Sequence, residues 1–309
     1  MLPAPIMMSS PALWRDRRGR LSWLRVGTLC LLATPIALAV AAAFTEDRFG
    51  ARPVNDLIHR AGYWALMFLL LTLAVTPLRR IGRFGQLIDV RRMLGVGAFA
   101  YAAAHISLFV VDQMFDLAKA ASEIVLRLYL TIGFVALVGL AALAATSTDA
   151  MQRRLGGMRW RRLHQVVYGI AFLALIHFFQ QTKLDITVPT LFAGLFTWMM
   201  GYRLIVWRRK TNEEPSPWTL LALTLVVTVL VFAAEAIGIG IAFHVSPTVV
   251  LGMAFDFDLD NLDIIRPGWF VLVAGLCVVM LDVVRAWWRK PRRAPAPSAL
   301  APAKQVQNV

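Results

Sequence analysis

Apolar residues along the chain come in long unbroken runs rather than in alternation, and short polar or basic segments separate them. Eight such runs cover residues 22–44, 61–77, 94–112, 125–145, 164–181, 188–207, 218–242 and 268–288. Each approaches the roughly 20 residues that a helix needs to cross about 30 Å of hydrocarbon. Backbone groups left unpaired in lipid exclude everything but helices and closed barrels, and a barrel would show alternation. The pattern therefore predicts an all-α integral membrane protein. Six helices form a bundle, and the polar stretch "RRKTNEEPSP" sets off two further C-terminal transmembrane helices.

The polar segments refine this picture. A net charge of +14 raises the possibility of nucleic acid, but the charge is distributed by side. Arg15, Arg17, Arg18 and Arg20, "LRRIGRFGQLIDVRR", "QRRLGGMRWRR", "RRK" and "RKPRR" all fall on one face if the runs alternate in direction. "TEDRFGARPVND", "DQMFDLAKAASE", "KLD" and "DFDLDNLD" fall on the other. That asymmetry is a topology signal: it places both termini in the cytoplasm and leaves no role for nucleic acid. The first run is too long, and lacks the cleavage site, for a removed signal peptide, so it reads as an anchor. Cys30 and Cys277 sit inside runs and serve as small apolar side chains. The expected organisation is a basic segment at 1–21, the six-helix domain at 22–207, a linker and two-helix extension with an acidic outer loop at 208–290, and a disordered tail at 291–309. "DFDLDNLDII" opens like a calcium loop but lacks Gly at its sixth and Glu at its twelfth position. Trp64, Trp218, Trp269, Trp287 and Trp288 near run ends read as interfacial belts.

Five histidines occur: His59, His105, His164, His177 and His244. His105 lies roughly 15 Å from the cytoplasmic edge of the third run, and His177 lies roughly 20 Å beyond His164 on the fifth. The two share the outer half of the bilayer, while His164 stays at the inner rim. Ionisable groups at such depth are costly and point to function. Two neutral imidazoles facing each other across helices suit an iron porphyrin, with no open iron position and single-electron transfer as its chemistry. The competing uses are a hydrogen bond to a facing helix, or a proton relay in a transporter. His164 is either a ligand or an interfacial residue, and so is His59 at the outer mouth of the second run. His244 reads as solvated. Thirteen residues turn His177 roughly 140° away from His164 on an ideal helix, so a kink or bulge is needed if both are to face one cofactor stack.

"LIHRAGYWAL", "TPLRR", "RRMLG", "FAYAAAHISL", "TSTDAMQRRLG", "RWRRLHQVVY" and "LALIHFF" resemble, in order and spacing, the MsrQ (YedZ) family within the ferric-reductase-like transmembrane group. The resemblance covers residues 22–207 and implies a b-type haem-binding subunit, with one or two haems and flavin mononucleotide (FMN) as cofactors. It implies electron flow from the quinone pool or a cytoplasmic flavin reductase, across the bacterial inner membrane, to MsrP, a periplasmic molybdopterin enzyme that reduces methionine sulfoxide in oxidised proteins. The family's haem histidines fall on His105, His164 and His177, and His59 also matches a family position. Ferric reductases carry a second histidine at the inner side of the third helix, where this chain has Arg91 and Arg92. Arg79, Arg80, Arg91 and Arg92 can bind haem propionates, a flavin phosphate or a quinol headgroup, or simply contact lipid headgroups. No Gly-rich dinucleotide fingerprint is present, so electrons come from a separate donor. A quinol-oxidising or metal-reducing cytochrome with another acceptor uses the same chemistry.

Overall fold

The computed structural model describes residues 13–15, 19–44, 52–182, 185–209, 213–255 and 265–287. They form α1 (Trp23–Ala43), α2 (Pro53–Ile81), α3 (Ile88–Asp112), α4 (Leu117–Leu126), α5 (Leu128–Ala145) and α6 (Asp149–Leu155). These are followed by α7 (Gly157–Gln165), α8 (Val167–Gln181), α9 (Thr187–Arg209), α10 (Pro217–Phe243), α11 (Pro247–Gly252) and α12 (Pro267–Trp287). No strand forms among the described residues. The acidic stretch at 256–264 and the tail at 291–309 lie outside the described residues.

Seven helical segments among them are long and apolar enough to cross a membrane. The eighth expected span, 188–207, is also a helix, α9, but its composition is less apolar because of where it sits. It packs between α2 and α8 on one side and α10 and α12 on the other. A helix screened from lipid by its neighbours can carry polar residues, and Thr190, Trp198 and Tyr202 of α9 are buried. The two-helix extension supplies that screen. Trp198 donates its indole N–H to Thr224 of α10 at 3.0 Å. Gly275 of α12 packs so closely on Thr224 that a Cβ there would stand 2.3 Å from a methyl group. Buried Glu235 of α10 pairs with Arg266 at 3.4 Å, tying the entry of α12 to α10.

Within the six-helix domain, α2 packs chiefly on α3 and α5 chiefly on α8. Contacts between α3 and α5 join the two pairs around a shared interior. Phe68, Leu73 and Phe192 are fully buried in the hydrophobic core. Trp64 stacks on Phe68 at 5.7 Å, so this residue belongs to the core rather than to an interfacial belt.

Three local differences from the sequence expectation matter. First, α2 runs from Pro53 through Pro77 to Ile81, so Arg79 and Arg80 ride its last turn instead of a loop. Proline at the first helical position costs no hydrogen bond, and basic groups at a C-terminus complement the helix dipole. Second, the connection after α3 contains α4, capped by Asp116, whose carboxylate accepts from the Lys119 N–H at 2.9 Å. Met114 and Phe115 precede it with φ of 56° and 61° and turn the chain back over the bundle. Third, the fifth run is broken at Val166 between α7 and α8. A break thus falls between the two histidines: His164 contacts Thr146 at the end of α5 and His177 contacts Tyr129 at its start, and of the two only His177 lines the central cavity.

Candidate cofactor site

A cavity of about 1140 Å³ opens between the α2–α3 and α5–α8 pairs. Leu66, Leu69, Ala136, Leu140 and Ile170 wall it, and a polar rim of His59, Lys119, Glu123, Arg127 and Gln181 surrounds its mouth beside α4. Such a volume exceeds the few hundred Å³ that most small ligands require.

His105 of α3 and His177 of α8 face each other across this space, their ring centroids 6.2 Å apart and their planes at 81°. Nδ1–H of His105 donates to the Ile58 carbonyl of α2 at 2.8 Å, and Nδ1–H of His177 donates to the Tyr129 carbonyl of α5 at 2.7 Å. A carbonyl only accepts, so each ring is fixed with its proton on Nδ1 and its lone pair on Nε2. That is the tautomer a metal ligand needs. Metal–imidazole bonds of about 2 Å on either side of one ion place collinear ring centroids roughly 6 Å apart. The observed spacing fits. No cluster of three or more metal-ligating side chains occurs among the described residues. The pair therefore suits a metal that brings its remaining donors in a planar macrocycle, and the apolar cavity suits the macrocycle.

The other end of the bundle is built differently. His164, in the last turn of α7, stacks on Trp160 at 4.0 Å and has its Nε2 3.3 Å from the Thr146 hydroxyl. Trp160 Nε1 in turn donates to the Thr146 carbonyl at 2.9 Å. No second imidazole stands near it among the described residues. Of the four arginines expected here, Arg80 pairs with Glu214 at 2.7 Å and Arg92 with Asp149 at 2.5 Å. Glu214 also accepts from the Tyr202 hydroxyl at 2.6 Å. Arg79 and Arg91 have no carboxylate partner among the described residues. Arg91 lies within electrostatic reach of both Arg79 and Arg203 of α9. Arg203 donates to the carbonyls of Leu73 and Met199 at 2.6 and 2.8 Å, and its guanidinium lies over Tyr168 at 5.3 Å. The Nε atoms of Arg79 and Arg203 are buried and unpaired. Arg79 and Arg91, which lack a carboxylate partner, and Arg203, whose charge meets only carbonyls and a ring, have the chemistry to receive an anion.

His59 lines the cavity mouth but is exposed, and its Nε2 takes the Gln181 amide at 3.2 Å. His244 is exposed at the C-terminus of α10. The residues that sequence reasoning missed are Ile58 and Tyr129, which act through backbone carbonyls and so carry no side-chain signal, and Arg203. A lone arginine in the apolar stretch "GYRLIV" was the available clue to the last.

Fold and site together define a ferric-reductase-like transmembrane domain. Residues 61–176 match the family described as ferric reductase like transmembrane component. The chain is 39% identical over 205 residues to the protein-methionine-sulfoxide reductase heme-binding subunit MsrQ of Rhodospirillum rubrum, covering 65% of this chain and 96% of that relative. It is 44% identical over 165 residues to MsrQ of Xanthomonas campestris pv. campestris, covering 53% and 74%. To MsrQ of Herminiimonas arsenicoxydans it is 37% identical over 194 residues, covering 61% and 89%. The chain belongs to the MsrQ family. No solved structure matches it.

Proposed function

We propose that this chain is a b-type cytochrome of the bacterial inner membrane that carries electrons outward to a periplasmic molybdopterin methionine-sulfoxide reductase, MsrP. The facing pair His105 and His177, each with Nδ1 committed to a backbone carbonyl, is the observation that carries the reading. His105 and His177 would hold the haem, which would supply single-electron transfer. The chain's residues supply the rest: two fixed ligands, an apolar slot, and a rim in which Lys119 can answer a propionate while Arg127 is paired with Glu123. One haem is favoured, because Arg91 and Arg92 occupy the region where a second inner ligand would stand.

The basic asymmetry of the chain puts both termini and the arginine end in the cytoplasm and the cavity mouth in the periplasm. His164 and Trp160 then lie on the donor side. There Arg79, Arg91 and Arg203 offer an anion site suited to the phosphate of FMN, with electrons arriving from a cytoplasmic flavin reductase or the quinone pool. A proton relay through His105 and His177 is disfavoured by the same bonds, since a helix carbonyl cannot pass on the Nδ1 proton.

The test is spectroscopic. Purified protein should show sharp low-spin bands in a reduced-minus-oxidised spectrum, at one haem per chain. The reduced haem should be reoxidised by the molybdopterin reductase with methionine sulfoxide present. Colourless protein sinks the cytochrome, while a haem that this acceptor cannot reoxidise leaves the cytochrome and removes the partner.

A further inference from the structure

The two histidines are held by the same device, built twice. His105 bonds the carbonyl of Ile58, and the residue four positions on in α2 is Gly62. His177 bonds the carbonyl of Tyr129, and the residue four positions on in α5 is Gly133. In a helix the N–H of the fifth residue already donates to the carbonyl of the first, so each carbonyl accepts two bonds, one from its own helix and one from the imidazole. The side chain of that fifth residue would sit beside the carbonyl, in the path of the incoming ring. A Cβ at Gly62 would stand 3.1 Å from His105 Nδ1 and 3.2 Å from its Cε1. At Gly133 the corresponding distances to His177 are 2.7 and 2.8 Å. Ordinary contact is about 3.5 Å or more.

We infer that Gly62 and Gly133 are positioning residues for the two ligands: the missing Cβ lets each imidazole lie flat on the neighbouring helix and reach its carbonyl. This rests on the ligation reading above. The bond matters electronically as well as sterically. A carbonyl on Nδ1–H makes the imidazole a stronger donor and favours the oxidised metal, so its loss raises the midpoint potential. Of the two positions, Gly133 is the tighter.

Redox titration of the purified holoprotein tests this with three alanine variants. Gly133→Ala should shift the midpoint upward and alter the low-spin ferric electron paramagnetic resonance signal, which reports imidazole plane orientation. Gly62→Ala should do the same to a smaller extent. Gly97→Ala is the control: it lies on α3 with His105, and its Cβ would stand 2.4 Å from the Leu32 side chain of α1, so it perturbs packing away from the cavity and both ligands. Its potential and signal should match wild type. Should Gly133→Ala fail to accumulate or lose its haem, Gly62→Ala decides on the same readouts. Wild-type potentials and signals in the glycine-to-ligand variants, or an equal shift in Gly97→Ala, overturn the inference. Failure of the underlying reading looks different: His105→Ala and His177→Ala would keep their haem.

Discussion

The two histidine-bearing ends of the bundle are anchored by different kinds of partner. At the cavity, His105 and His177 are held by helix carbonyls, acceptors that cannot rotate or titrate away while α2 and α5 remain folded. At the arginine end, His164 meets the Thr146 hydroxyl at 3.3 Å, the Thr146 backbone beside it and a stacked indole, amid positive charge. A ligand that must keep one geometry through every turnover is best fixed by backbone. A residue at a docking face, where donors come and go, tolerates a softer mount. Under the proposed function, the contrast is that between a permanent cofactor site and an exchange site.

The largest effects that can break this contrast come from the histidines. His105→Ala and His177→Ala should each lower haem content at least tenfold, while His164→Ala should keep it within twofold, read as pyridine haemochromogen per mole of protein. Equal loss in all three would make His164 a permanent ligand and erase the distinction. The next effect lies at the arginine end. Arg91→Gln and Arg203→Gln should each weaken FMN binding by about tenfold, the value of a charge-assisted hydrogen bond of roughly 1.5 kcal/mol. Arg92→Gln should change it less than twofold, because Asp149 already answers that charge. A flavin fluorescence titration measures this, and haem content should be unaffected in all three. If Arg92→Gln matches Arg91→Gln, the anion does not sit among the unpaired arginines.

How far each end was legible in the sequence follows from the same physics. The shared depth of His105 and His177 follows from helix rise alone; thirteen residues at helical twist call for a break only if both rings face one cofactor stack, and the structure breaks the helix at Val166 while leaving His164 outside the cavity that His177 lines. The carbonyls of Ile58 and Tyr129 were invisible, because any residue offers the same backbone acceptor. Pairings across the chain were invisible too: nothing in "TPLRR" or "RRMLG" says that Arg80 meets Glu214 and Arg92 meets Asp149, which decide which arginines stay free. The helix α4 was hidden inside a polar segment whose only advance sign was Asp116 three residues before Lys119, a helix cap. Composition could not show how deeply α9 is buried, since its cover by α10 and α12 depends on neighbours distant in sequence.

The smallest expected effect sharpens the comparison most, because it concerns a histidine at the cavity end that lacks the cavity-end anchor. His59 follows Ile58 directly in α2 and lines the mouth of the same cavity. Its ring is exposed and its Nε2 lone pair is taken by the Gln181 amide at 3.2 Å. To ligate a metal it would have to give up that bond and order an exposed side chain, at a conformational cost of up to about 1 kcal/mol, with no carbonyl to fix its tautomer. His59→Ala should therefore leave haem content within twofold of wild type and the midpoint potential unshifted. The double variant His59→Ala/His105→Ala should bind no less haem than His105→Ala alone. If His59→Ala instead strips the haem, proximity to the cavity and not the backbone anchor selects the ligand, and the division between fixed and soft histidines fails.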